Sequence, residues 1–183
     1  TSGLIGSKPA GPERTVLRRG RSDPLSWWLT LPAGRFVLRI HLGVALLAAA
    51  LSGTGWALGK RYLLLVCTLL LHELAHAVVA LLMGARRAEV RIWPVFGRAD
   101  VERFPDLREA WVALAAPVAN LAVAAGLYWG AGGRFTLQLA RGPWIDFLFT
   151  VNLAMGLGNL IPIPPIDGGR ALAALLRSLR RSR

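Results

Sequence analysis

Leu69-Leu-Leu-His72-Glu73-Leu-Ala-His76-Ala-Val-Val-Ala-Leu-Leu-Met83 is the stretch that decides how the chain is read. His72 and His76 are four residues apart, so a helix carries both imidazoles on one face, a turn apart, with Glu73 beside them. This is the H-E-x-x-H arrangement, in which two imidazoles hold zinc and the carboxylate handles the proton of a metal-bound water. Between residues 62 and 83 nothing else is ionisable at neutral pH, and these 22 residues are enough to cross a bilayer core of about 30 Å. A glutamate at that depth costs at least ~2.5 kcal/mol unless it faces a partner or a cavity, and a bound metal is the natural partner. A chance match on a helix with otherwise satisfied polar groups is the competing reading, and the apolar setting weighs against it.

The rest of the composition agrees with a lipid setting. The 183 residues make one domain, and 54% are hydrophobic, which points to a membrane protein. The net charge of +12 suggests nucleic acid at first sight, but the arginines fall between apolar runs instead of forming a patch, so no nucleic-acid partner is expected. They read as topology determinants. Cys67 is the only cysteine, which rules out an intramolecular disulfide, and it reads as a small apolar residue. Residues 1–30 lack the apolar core of a signal peptide.

Taken in order, residues 1–39 form a basic N-terminal tail, flexible up to about Asp23, with Trp27, Trp28 and Phe36 marking a short interfacial stretch. Four spans follow at about 40–58, 62–83, 110–131 and 143–163. His41 opens the first of them, and Lys60 and Arg61 close the turn before the second. Between the second and third spans, Ala88-Glu-Val-Arg-Ile-Trp-Pro-Val-Phe-Gly97-Arg-Ala-Asp-Val-Glu-Arg alternates apolar and charged residues around a Pro/Gly break, a weak hairpin signal. Residues 171–183 form a basic amphipathic helix suited to a membrane surface. The expected fold is therefore an all-α polytopic membrane protein, with four transmembrane helices and a small cytoplasmic-side β-hairpin, its core covering residues 40–170. Of the 22 lysines and arginines, 18 lie in the tail, the 84–109 loop and the C-terminal end, and 4 in the other two loops, which puts both termini in the cytoplasm.

Two histidines need a third protein ligand and an open position for water. Only ten acidic residues are present, and those near a span, apart from Glu73, are Glu109, Asp146 and Asp167. At 1.5 Å per residue the histidines lie about 15 and 21 Å along their helix from Tyr62, on the cytoplasmic side of the midplane. Asp167 is on that side and Asp146 is not. A straight fourth span would leave Asp167 at or past the inner boundary. Pro162, Pro164 and Pro165 forbid regular helix there, and Gly168 and Gly169 permit a tight turn back toward the bundle.

His72-Glu-Leu-Ala-His76, Ala116-Pro-Val-Ala-Asn120 and Asn159-Leu-Ile-Pro-Ile-Pro-Pro-Ile-Asp167-Gly-Gly resemble, in order, the three signature segments of the site-2 protease family of intramembrane zinc metalloproteases. The resemblance covers roughly residues 63–170. It implies that Asp167 completes a site for one Zn²⁺ per chain with His72 and His76, that Glu73 is the catalytic acid/base, and that the substrate is a transmembrane segment of another protein. It further suggests that the 89–101 hairpin, with Val90, Ile92, Phe96 and Gly97 as contacts, holds substrate as an added strand. Ala116 and Arg98 stand where many relatives have glycine. The chain looks like a minimal version without a PDZ or nucleotide-sensing domain.

The expected function is zinc-dependent intramembrane endoproteolysis by Glu-assisted attack of water, within the lipid bilayer of a bacterial cytoplasmic membrane. Asn159 and Asn120 are candidate substrate or oxyanion donors, since amides are expensive in a span. Asn152 reads as a packing or supporting residue, and Arg170 as a contact for lipid phosphate. The competing functions are a membrane zinc-binding or transport protein and a client-binding pseudoprotease. Polar residues clustered on the inner side argue against the first, and an intact Glu73 against the second.

Overall fold

A computed structural model describes residues 27–105, 107–137, 139 and 143–181, so the expectation of a flexible tail falls, for residues 1–26, outside the described residues. The described chain runs β1 (Trp28–Ala33), β2 (Phe36–His41), α1 (Gly43–Thr54), α2 (Trp56–Leu82), β3 (Ala88–Ile92), β4 (Gly97–Val101), α3 (Arg108–Gly130), α4 (Trp144–Asn159) and α5 (Asp167–Arg181).

The expected hairpin is half of a larger element. The strands form one mixed sheet in the order β1-β2-β3-β4, with β2 and β3 parallel and the outer pairs antiparallel. This corrects the all-α reading and the placing of 28–41 as interfacial stretch and span entry. Gly34, at φ +61°, makes the tight turn between β1 and β2 that a residue with a Cβ would resist. Alternation explains the sheet's two faces. Phe36, Leu38, Ile40, Ala88, Val90 and Ile92 face the helices. On the other face Glu89 and Asp100 bridge Arg39, Arg91 and Arg98 at 2.7 to 3.5 Å. The hydrogen bond to Glu89 raises the Arg91 pKa above its ordinary value, against the smaller effect of burial.

The sheet lies lengthwise against α2. Tyr62, Val66, Leu70, Leu74, Ala77 and Leu81, spaced by three and four residues, form the stripe of α2 that covers it. Fixing both ends, the Tyr62 hydroxyl donates to the Pro94 carbonyl at the β3–β4 turn, 2.8 Å away, while Leu81 packs in the same cluster as Ala88. His41 stacks on Trp93 and meets Trp28 edge-on, a packed aromatic group near that turn.

Among the described residues α2 and α3 are the helices long and apolar enough to cross a membrane, and only 33% of the most apolar stretch of each is buried within the fold. The remainder is outward apolar surface of the kind a bilayer covers. With 12 and 16 residues, α1 and α4 reach only about 18 and 24 Å, so four full-length helical spans are not seen among the described residues. The break expected at Lys60 and Arg61 falls earlier, at Gly55, and both charged residues lie inside α2. At its other end α2 stops at Gly84, whose φ of +101° favours glycine.

After α4 the chain turns back as the prolines and glycines require. A Cβ on Gly168 would strike the Leu160 carbonyl and one on Gly169 the Ile163–Pro164 peptide, so the 160–164 backbone lies directly on the first turn of α5. That fold-back carries Asp167 to the bundle.

Candidate metal centre

Two elements supply the centre. His72 and His76 project from α2 on the side away from the sheet, and Asp167 begins α5 after the fold-back. All three are buried, at 5%, 4% and 7% exposure. Asp167 Oδ2 lies 3.2 Å from His72 Nε2 and 3.1 Å from His76 Nε2. These three residues form the cluster of possible metal ligands found among the described residues, their ligand atoms within 4.8 Å of one another. Neither Asp146 nor Glu109 belongs to it.

The donor chemistry fits zinc. His76 Nδ1 is 2.8 Å from the Val112 carbonyl and His72 Nδ1 is 2.6 Å from Asn120 Oδ1. Both oxygens are acceptors, so each imidazole donates its Nδ1–H outward and turns an Nε2 lone pair toward the carboxylate. Two lone pairs and an anionic oxygen at this distance repel one another until a cation lies among them. Four tetrahedral ligands at the usual zinc bond lengths stand roughly 3.3 Å apart, close to the spacing seen.

Glu73 occupies the gap between α2 and β4. It is 8% exposed, and the backbone N–H of Ala99 faces its carboxylate. A Cβ on Gly97 would come within 2.8 Å of Glu73 Cγ and 3.1 Å of Leu69 Cγ, so glycine is what lets β4 approach the glutamate.

The expected hairpin contacts divide. Val90 and Ile92 are fully buried on β3, which is paired on both sides, so neither offers a free edge to substrate. β4 is the outer strand. The Trp93 N–H donates to the Phe96 carbonyl to close the turn, and antiparallel alternation then leaves the N–H and C=O groups of Gly97, Ala99 and Val101 pointing away from β3. Phe96 is 51% exposed beside them.

Of the amides, Asn120 is fully buried and engaged at both ends, its Oδ1 with His72 and its Nδ2 donating to Asn152 Oδ1 at 2.9 Å. It meets the ring nitrogen remote from Asp167. Asn159 ends α4 half-buried, its Nδ2 on the Met155 carbonyl. Arg170, expected to meet lipid phosphate, turns its guanidinium inward. Its guanidinium donates to Asp167 Oδ1 at 3.1 Å and to Glu109 Oε1 at 3.0 Å, and Glu109 Oε2 accepts the Phe104 N–H. The pairing of Arg170 with Glu109 escaped the sequence reading, although a glutamate opening an apolar helix signals a need for one.

Residues 136–183 match the model of peptidase family M50. The chain is 33% identical over 155 residues to sll0528 of Synechocystis sp., a zinc metalloprotease by designation, covering 82% of this chain and 40% of that protein. It is 36% identical over 176 residues to Rip3 of Mycobacterium tuberculosis, likewise so designated, covering 80% of this chain and 43% of that one. The chain thus spans about two fifths of the length of these curated relatives. Among solved structures it resembles the site-2 protease from Methanocaldococcus jannaschii, with a TM-score of 0.61 and 25% identity, covering 82% of this chain and 72% of that one. The family match contains Asp167, and alignments over four fifths of the chain necessarily contain the histidine helix. Both halves of the centre therefore lie in matched sequence, and across both of them the chain is similar to peptidase family M50 and the site-2 proteases.

Proposed function

We propose that this chain is a zinc-dependent endopeptidase that hydrolyses peptide bonds within or near transmembrane segments of other membrane proteins, holding one zinc per chain between His72, His76 and Asp167. The observation that carries the reading is the convergence of two imidazole Nε2 atoms on one carboxylate oxygen at 3.1 and 3.2 Å, with both Nδ1 atoms already committed elsewhere. When bound, zinc polarises the scissile carbonyl and lowers the pKa of water toward ~7.

Glu73 is the general base and then the general acid. It takes the proton of the attacking water and returns it to the leaving amine, at a position set by Gly97 and the Ala99 N–H. Asn120 orients His72, and Arg170 orients Asp167 through the oxygen that does not face the imidazoles. Asn159, at the inner end of α4, is the candidate contact for the substrate backbone. A helical substrate hides its carbonyls, so it must unwind before cleavage. The outward edge of β4 beside Glu73 offers replacement main-chain hydrogen bonds, which supports strand addition on β4 with Phe96 and Gly97 at its near end.

For topology we propose a multi-pass protein of the cytoplasmic membrane in which α2 and α3 cross, α1 and α4 are shorter partners, and both termini are cytoplasmic. The packing of α5 on the N-terminal end of α3 supports this, because it brings the basic C-terminal helix and the basic segment before α3 to one end of the bundle. The test is cleavage of a panel of single-span substrates by wild type and Glu73→Gln, with bound zinc measured in both. Equal zinc with cleavage only by wild type is expected. Equal cleavage by both refutes the assignment of Glu73.

A further inference from the structure

The two imidazoles are held in different ways. His76 Nδ1 meets a backbone carbonyl, which only accepts, so its tautomer is fixed by the main chain. His72 Nδ1 meets a carboxamide, which presents either oxygen or NH₂ according to how it is turned. Turned as seen, it leaves the His72 Nε2 lone pair free for metal. Turned over, its Nδ2 would donate to Nδ1 and drive the ring proton onto Nε2, toward Asp167.

Residues well removed from the metal decide between these states. Asn120 Nδ2 donates to Asn152 Oδ1, and Asn152 Nδ2 donates to the Leu148 carbonyl at 2.9 Å and to Thr68 Oγ1 at 3.2 Å. The Thr68 hydroxyl spends its hydrogen on the Leu64 carbonyl at 3.0 Å. The chain of donors therefore ends on two backbone carbonyls that cannot reverse. Thr68, Asn120 and Asn152 are 3%, 0% and 1% exposed, so water does not offer a substitute partner at any link.

We propose that Asn152 and Thr68 are positioning residues that fix the zinc-binding tautomer of His72 through Asn120, locking three helices in one sense of hydrogen bonding. The proposal rests on the reading of His72 as a zinc ligand, and the experiment separates the two. Zinc affinity is measured on the purified full chain in detergent by competition with a chelator. Wild-type protein that binds no zinc overturns the metal reading and the proposal with it, before any variant is compared.

Asn152→Leu keeps the number and branching of side-chain heavy atoms and removes the acceptor that holds the Asn120 amide, and it should lower zinc affinity about 10- to 100-fold. In an Asn120→Asp background the group facing His72 can only accept, so adding Asn152→Leu there should change affinity by no more than about threefold. A loss below about twofold from Asn152→Leu in the wild-type background, or an equally large loss in both backgrounds, overturns the proposal. If Asn152→Leu does not fold, Thr68 decides. Thr68→Val should weaken zinc binding by about threefold or more and Thr68→Ser should restore it, whereas Val and Ser variants that bind zinc alike contradict the relay.

Discussion

Replacing Arg170 tests the link between the fold and the metal centre. Its guanidinium joins Asp167 Oδ1 to Glu109 Oε1 at 3.1 and 3.0 Å, and Glu109 is only 2% exposed. In Arg170→Met the apolar stem survives, but the buried Glu109 carboxylate loses its cationic partner and keeps the Phe104 N–H. Removing one partner of a buried ion pair costs about 3–5 kcal/mol, because the remaining charge stays desolvated. For a chain of this size that is a fall in Tm on the order of 6–20 °C, measured by thermal unfolding of zinc-free protein in detergent. The double variant Glu109→Met/Arg170→Met removes the orphaned Glu109 charge, though Asp167 still lacks its guanidinium partner, and should recover part of that loss. Zinc affinity should behave differently, staying about tenfold or more below wild type in both variants because Asp167 Oδ1 has lost its anchor. A single variant melting within about 2 °C of wild type, or a double variant that regains full zinc affinity, refutes the argument.

Gly97→Ala places a methyl against Glu73 Cγ, so cleavage should fall tenfold or more while bound zinc is unchanged; normal activity would mean the glutamate is not held by β4. Ala99→Pro removes the outward N–H that faces the Glu73 carboxylate without touching the β3 ladder and should abolish cleavage with Tm nearly constant, whereas Val90→Pro, on a strand paired at both edges, should unfold the protein. Gly168→Ala drives a Cβ into the Leu160 carbonyl, displacing the Asp167 turn, and zinc content after purification should drop well below one per chain.

The centre was legible in sequence because its chemistry is local. His72, Glu73 and His76 declare a shared helix face by spacing, and the prolines and glycines around Asp167 announce a chain that cannot run straight. Strands β1 and β2 were hidden by their context. Apart from Arg39 and His41, the apolar character of 36–41 continues into α1, so a largely apolar run conceals a change of period from two to 3.6 at Leu42 and Gly43. Lys60 and Arg61 looked like a span boundary because charge usually ends one, yet a helix extending past the bilayer core tolerates them in its first turns. Asn120 and Asn152 were each visible as costly amides. That they pair with each other depends on how α3 and α4 are rotated, which no single-helix pattern contains. The same holds for Arg170 and Glu109, 61 residues apart and joined only once α5 crosses the start of α3.

The most direct measurement is X-ray absorption at the zinc edge of the purified full chain, alongside metal content of wild type and Asp167→Ala. One zinc per wild-type chain is expected, with two histidine nitrogens and a carboxylate oxygen at about 2.0–2.2 Å and no sulfur, and weakened binding in the variant. Undiminished zinc in Asp167→Ala, or a sulfur ligand from Cys67, would contradict the site as assigned.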